Sequence, residues 1–130
     1  MIAYFWIGVG SALGGMCRFW LSGMIAQRFG EAFPTGTLLV NASGSFLMGL
    51  LAALGEPEGR LFVPAYARQF LMIGILGGYT TFSSFSLQTL NLVREGEWLF
   101  ATLNVVLSVL LCLGAVWIGH TLGQFLNPKV

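Results

Sequence analysis

The chain has 130 residues, 56% of them hydrophobic and only 8% charged, with a formal net charge of +1 and a mean hydropathy of +0.82. Soluble domains carry about a quarter charged residues, so this composition excludes a water-soluble globule and places the chain in a lipid bilayer. The near-neutral balance also excludes a nucleic-acid partner, because binding phosphates takes clustered Lys and Arg.

A spanning helix needs about 20 mostly apolar residues. Four segments qualify, from Ile2 to Ala26, Thr37 to Leu54, Leu61 to Leu92 and Trp98 to Leu126. They predict an all-α membrane protein, a single four-helix transmembrane domain over residues 1–130. The opening MIAYFWIGVG has no basic leader and reads as the first span, not as a removable signal. Most of the charge falls in three polar turns, QRFGE (27–31) with Pro34, EPEGR (56–60) and REGE (94–97). Tyr4, Trp6 and Trp98 sit near segment ends, where amphipathic rings favour the headgroup region. Cys17 and Cys112 have apolar neighbours and read as two small buried thiols, with a disulfide as the alternative that parity allows.

Four spans put both termini on one side. Arg60 and Lys129 then lie on the terminal side, and Arg28 and Arg94 on the other. Since loop Lys and Arg set orientation, this tie predicts insertion both ways round and permits an antiparallel homodimer. Four helices can hardly enclose a water-free site alone, which also predicts pairing. Gly10-x-x-x-Gly14 and Gly74-x-x-x-Gly78 supply the small-residue spacing that lets helix backbones approach closely.

The third segment contains GGYTTFSSFS, residues 77–86. Glycine disfavours a helix by about 1 kcal/mol and threonine also ranks low, so Gly77, Gly78, Thr80 and Thr81 predict a break in mid-span. A broken membrane helix frees carbonyls that attract cations and N–H groups that attract anions. Such a break persists only when it is buried in protein or lines a cavity. A glycine kink made for packing is the plainer alternative. Beyond the break, Thr81, Ser84, Gln88 and Asn91 are spaced by three, four and three residues and form one polar stripe. Phe82 and Phe85 project together on an adjoining face. The positive edges of aromatic rings, set beside hydroxyl and amide donors, make a lining for a small anion that carries no formal charge. Such binding is weak enough to permit conduction. Against this stands ordinary packing of a Phe pair and hydroxyls bonded back to their own helix.

Other embedded polar groups extend the pattern. Asn41 lies near the start of the second span with Ser43 and Ser45 close by, and Asn104 and Ser108 share a face of the fourth. Together they read as a hydrated path. Arg18 is costly inside a span and reads either as an anion-attracting vestibule residue or as a snorkelling anchor. There is no Asp, and all five Glu fall in turns, so no embedded carboxylate is present for proton coupling. His120 reads as a surface residue. No metal cluster and no nucleophile–base pair occur, so the chain is not an enzyme. A passive conductor of a small anion fits this inventory best. The rivals are a small dual-topology exporter of organic cations, which needs an embedded acid, and a non-transporting assembly subunit.

GGYTTFSSFS resembles the third-helix signature of the Fluc (CrcB) fluoride channels. GTLLVNASGSF, Gly36 to Phe46, is similar to the second-helix motif of that family, and GGMCR, Gly14 to Arg18, to its first-helix motif. The motifs lie in the right order, and the resemblance covers essentially the whole chain. It implies a dual-topology antiparallel homodimer in the plasma (inner) membrane, with two pores that passively export cytoplasmic fluoride. It implies that the ring edges of Phe82 and Phe85 face fluoride and that Asn41 lines the pore, with Thr81, Ser84 and Ser108 as hydroxyls along the path. It further implies that Arg18 stands near the aqueous vestibule, and that the backbone carbonyls of Gly77 and Thr80 hold a structural sodium ion at the dimer interface. Gln88 departs from the Glu that relatives can carry.

Overall fold

The computed structural model describes residues 1–58 and 63–128, and those residues form no strand. Helix α1 is Ile2–Phe29, α2 is Thr35–Leu54, α3 covers residues 65–79, α4 is Phe82–Arg94 and α5 is Trp98–Leu126. Helices α3 and α4 together make the expected third span, interrupted near its middle. Its expected start at Leu61 lies outside the described residues, as do Arg60 and Lys129 of the charge comparison.

Length and hydropathy suffice for a membrane crossing in α2, in the α3–α4 unit and in α5. Helix α1, with 28 residues, rises about 42 Å and exceeds a hydrocarbon core of about 30 Å, although Arg18 interrupts its apolar run. Turns are set by residues suited to them. Gly30 ends α1 at φ 85° and Gly96 joins α4 to α5 at φ 81°, a region that side chains with a Cβ rarely adopt. Pro34 and Pro64 stand just before α2 and α3, where a missing N–H costs least.

Large apolar side chains face outward, among them Phe19 and Trp20 on α1 and Leu110, Leu113, Trp117 and Phe125 on α5. Where helices cross, the interior is lined with small residues, beside a few larger ones such as Leu38, Val40, Leu76 and Leu92. That inversion follows from the solvent: lipid gives apolar side chains no reason to hide, so helices associate through close backbone contact. Helix α1 runs alongside α3, where Gly10 meets Phe70 and Gly74, Gly14 meets Ile75 and Tyr79, and Gly78 meets Ser11. Helix α2 packs most extensively on α5, with Gly49 against Val116 and His120, Gly119 against Phe46, and Gly123 against Leu50 and Ala53. Each pair is parallel, odd span with odd and even with even. The spaced glycines read from the sequence as consistent with pairing of two chains are therefore used within one chain.

Three details depart from the sequence reading. Residues Gln69–Leu76 of α3 are π-helical, a wider winding that often accompanies functional sites and that no residue pattern here announces. Asn104, expected on a hydrated path, is 2% exposed and donates from Nδ2 to Thr89 Oγ1 at 2.9 Å, tying α4 to α5. Buried Asn127 caps the end of α2, donating to the Leu54 carbonyl at 3.2 Å, while His120 Nε2 lies 3.5 Å from Glu56 Oε1 beside the same helix end. Cys17 and Cys112 are free thiols, but they are not buried in the chain as expected: Cys17 is exposed on the outward face of α1 and Cys112 half-buried on α5.

The glycine contacts give a paired test. A Cβ on Gly14 would stand 2.8 Å from the Tyr79 amide nitrogen, whereas one on Gly15 meets nothing within 4 Å. Gly14→Val should lower stability by about 1–3 kcal/mol, and Gly15→Ala should leave it unchanged or raise it by up to about 1 kcal/mol. Thermal unfolding in detergent micelles distinguishes the two.

Candidate functional site

The interruption of the third span is made by its threonines. Thr80 has φ −81° and ψ 156°, and Thr81 has φ −152° and ψ 115°, so two β-branched residues take the extended conformation they favour. Gly77, Gly78 and Tyr79 remain helical. The glycines expected to help break the helix instead continue it, and Gly78 lets α1 approach.

The backbone groups of Thr81 released at the break find partners. Asn41, from α2, accepts the Thr81 N–H on Oδ1 at 2.7 Å and donates from Nδ2 to the Thr81 carbonyl at 2.9 Å. One side-chain amide thus replaces both peptide partners that a helix would supply. Thr81 caps α4, its Oγ1 accepting the Ser84 N–H at 3.1 Å. The same hydroxyl donates to Ser84 Oγ at 3.1 Å. Thr80 Oγ1 donates back to the Leu76 carbonyl at 2.9 Å.

These diversions have a further effect. In an unbroken helix the Thr81 N–H would meet the Gly77 carbonyl and the Ser84 N–H would meet that of Thr80. Here both donors are committed to side chains. The carbonyls of Gly77 and Thr80 are therefore left without their helical donors. On the other side of the break, the first-turn amides of Phe82 and Ser83 stand at the start of α4 beyond the reach of an intrahelical carbonyl.

A cavity of about 450 Å³ opens beside the break, lined by Asn41, Thr80, Thr81, Phe82, Phe85 and Ser108, with Ser45, Met48 and Cys112 also on its walls. No charged side chain lines it. Ser108 is 8% exposed, and its hydroxyl meets no hydrogen-bond partner among the described residues. Phe82 and Phe85 lie with ring centroids 5.2 Å apart and planes inclined by 50°. Phe82 is 79% exposed on the single chain, so one copy leaves this side of the cavity open.

The other expected residues divide. Ser84 belongs to the Thr81 capping network and does not line the cavity. Arg18 lines neither this cavity nor the second one, formed around Gln88 and Asn91, and its Nε is buried without a partner. The polar stripe on α4 runs from Thr81 at the first cavity to Gln88 and Asn91 at the second. Met48 and Cys112 were missed, although the spacings 41, 45, 48 and 108, 112 place them on faces already marked by Asn41 and Ser108.

Residues 5–120 match the family described as "CrcB-like protein, Camphor Resistance (CrcB)". The chain is 58% identical over 127 residues to the "Fluoride-specific ion channel FluC" of Opitutus terrae, covering 98% of this chain and 96% of that protein. A protein of the same name from Rhodospirillum rubrum is 53% identical over 129 residues, covering 99% and 100% of the two chains. Another from Methylocella silvestris is 56% identical over 124 residues, covering 95% of each.

The Asn41 clamp is directly testable. Asn41→Leu removes both bonds to Thr81 and should cost about 1–3 kcal/mol, with faster hydrogen exchange at the Thr81 amide. Exchange mass spectrometry of that peptide reads the effect, and protection equal to wild type would show that the clamp does not hold the break.

Proposed function

The chain belongs to the CrcB family, and from that membership and the uncharged cavity we infer that it is a fluoride-selective ion channel. It is a multi-pass membrane protein and not an enzyme. The observation that carries the ion path is the meeting, in one cavity, of a helix break, the Phe82–Phe85 pair and the Ser108 side chain.

Fluoride is small and strongly hydrated, so a path must offset its lost water with several close donors. The Ser108 hydroxyl is one, and the second Nδ2 hydrogen of Asn41, left over from its bond to Thr81, is another. Phe82 and Phe85 contribute positive ring edges, and the start of α4 adds its positive dipole end. Ser84 accepts from Thr81 and can donate onward along the stripe toward Gln88. With no formal positive charge on the walls, the anion is held weakly enough to leave.

The open side of the cavity and the balanced loop charges support an antiparallel homodimer in which an inverted copy completes each of two pores. Passive export of cytoplasmic fluoride across the plasma (inner) membrane follows from such pores. The freed carbonyls of Gly77 and Thr80 are oxygen ligands suited to a hard monovalent cation, which supports their assignment to a structural sodium ion between the copies. Such an ion, when bound, neutralises the negative end of α3. Arg18, with its Nε unpaired, is assigned to an aqueous vestibule that attracts the anion.

Purified protein in fluoride-loaded liposomes should release fluoride rapidly and chloride slowly, as read with ion-selective electrodes. Phe82→Ile and Phe85→Ile should each reduce fluoride release at least about tenfold, equivalent to about 1.4 kcal/mol, while the dimer still elutes intact on size exclusion. Normal release from both variants would remove the rings from the path. Exhaustive replacement of sodium by a large organic cation should weaken release or dimer assembly, and unchanged behaviour would remove Gly77 and Thr80 from the site.

A further inference from the structure

Helix α4 carries Phe82 and Phe85 of the cavity wall, yet packing alone holds it poorly. Leu92 is its single buried residue, and lipid adds no drive to press the helix inward. Its placement therefore falls to side-chain hydrogen bonds. Among the described residues, two side chains reach it from other helices. Asn41 holds its capping residue Thr81, and Asn104 of α5 holds its middle.

The second anchor is a relay. Asn104 is almost wholly buried, and its Nδ2 donates to Thr89 Oγ1 at 2.9 Å. Thr89 Oγ1 in turn donates to the Phe85 carbonyl at 2.8 Å. A hydroxyl has one proton and two lone pairs. The bond to Phe85 uses the proton, so a lone pair is left facing Asn104. The amide and the Phe85 backbone are thus joined through one oxygen atom.

Neither Asn104 nor Thr89 lines the cavity, and their effect on it comes through register. Helices α4 and α5 run antiparallel from the short turn at 95–97. Counted away from that turn, Phe85 lies four residues beyond Thr89, and Ser108 lies four beyond Asn104. The hydrogen-bonded pair therefore sits about 6 Å along the helices from the level at which Phe85 and Ser108 join the cavity wall. A slip or roll of α4 at Thr89 would be passed directly to the Phe85 ring.

We propose that Asn104 is a positioning residue for ion selectivity: acting through Thr89, it fixes Phe85 relative to Ser108 and so sets the width of the path between them. The assignment rests on the channel reading above. Selectivity of a neutral path depends on its diameter and on how closely its donors stand, so a loosened α4 admits a larger halide.

The test uses the full chain in liposomes loaded with fluoride and chloride. Asn104→Leu and Thr89→Val should each lower the ratio of fluoride to chloride release at least about threefold, and the double variant no further, because residues joined in one network do not act additively. Thr89→Ser keeps the hydroxyl and should restore the ratio. Hydrogen exchange of the α4 peptide should quicken in Asn104→Leu and Thr89→Val but not in Thr89→Ser. A lower thermal midpoint and slower release of both ions at an unchanged ratio would show a merely structural role and overturn the assignment. Wild type that conducts fluoride beside variants of equal ratio would overturn the assignment alone. Wild type that releases no fluoride would overturn the channel reading and this assignment with it.

Discussion

The structure depends on a single side-chain amide meeting the backbone N–H and carbonyl of a single residue. Thr81 sits where the third span stops being a helix, in a medium that offers its N–H and carbonyl no water. Asn41 answers both groups at once, at 2.7 and 2.9 Å. Without that match the chain would have to close the helix again or leave two polar groups exposed at a cost of several kcal/mol. Because the clamp holds Thr81 extended, α3 ends early, α4 starts afresh, and the cavity beside them becomes possible.

Close packing supplies the rigidity that the clamp needs. The partner of α2 is α5, and Gly49, Gly119 and Gly123 bring their backbones together, so Asn41 is held on a stiff pair rather than on a lone helix. On the other side, Gly10, Gly14, Gly74 and Gly78 bind α1 to α3. The break therefore lies between two tightly packed parallel pairs, joined across it by Asn41 and by Ser43, whose hydroxyl meets that of Tyr79 at 2.9 Å. Large side chains remain outside for the lipid or for a second copy.

Three of the four spans were legible because hydropathy over some twenty residues is a strong signal and the turns carry Gly, Pro and charge. Helix α1, with Arg18 in its apolar run, is marked by its length. The break was legible in place but not in detail. Of the four residues read as its cause, Gly77 and Gly78 stay helical, and close contact of Gly78 with Ser11 of α1 recovers what glycine loses in conformational freedom. Thr80 and Thr81 do the breaking, with a partner 40 residues away that local pattern cannot reveal. Asn104 shows the same limit from the other direction: its spacing with Ser108 suggested a shared path, and only the structure shows its amide turned to Thr89 while Ser108 stays unpaired. The π-helical stretch in α3 was invisible, since it depends on how carbonyls are shared and not on which side chains are present.

The distribution of charge bears on how such a protein moves an ion. All five Glu lie between helices and none within one, so the helices carry no carboxylate to load and unload a proton. What the interior offers instead is partial charge. One break in one helix exposes carbonyl oxygens on the α3 side and N–H groups on the α4 side. The same event can therefore serve a cation and an anion at opposite ends, without burying the formal charge whose desolvation a bilayer would penalise. Neutral walls also keep the anion's residence short, so a gradient alone can drive it through.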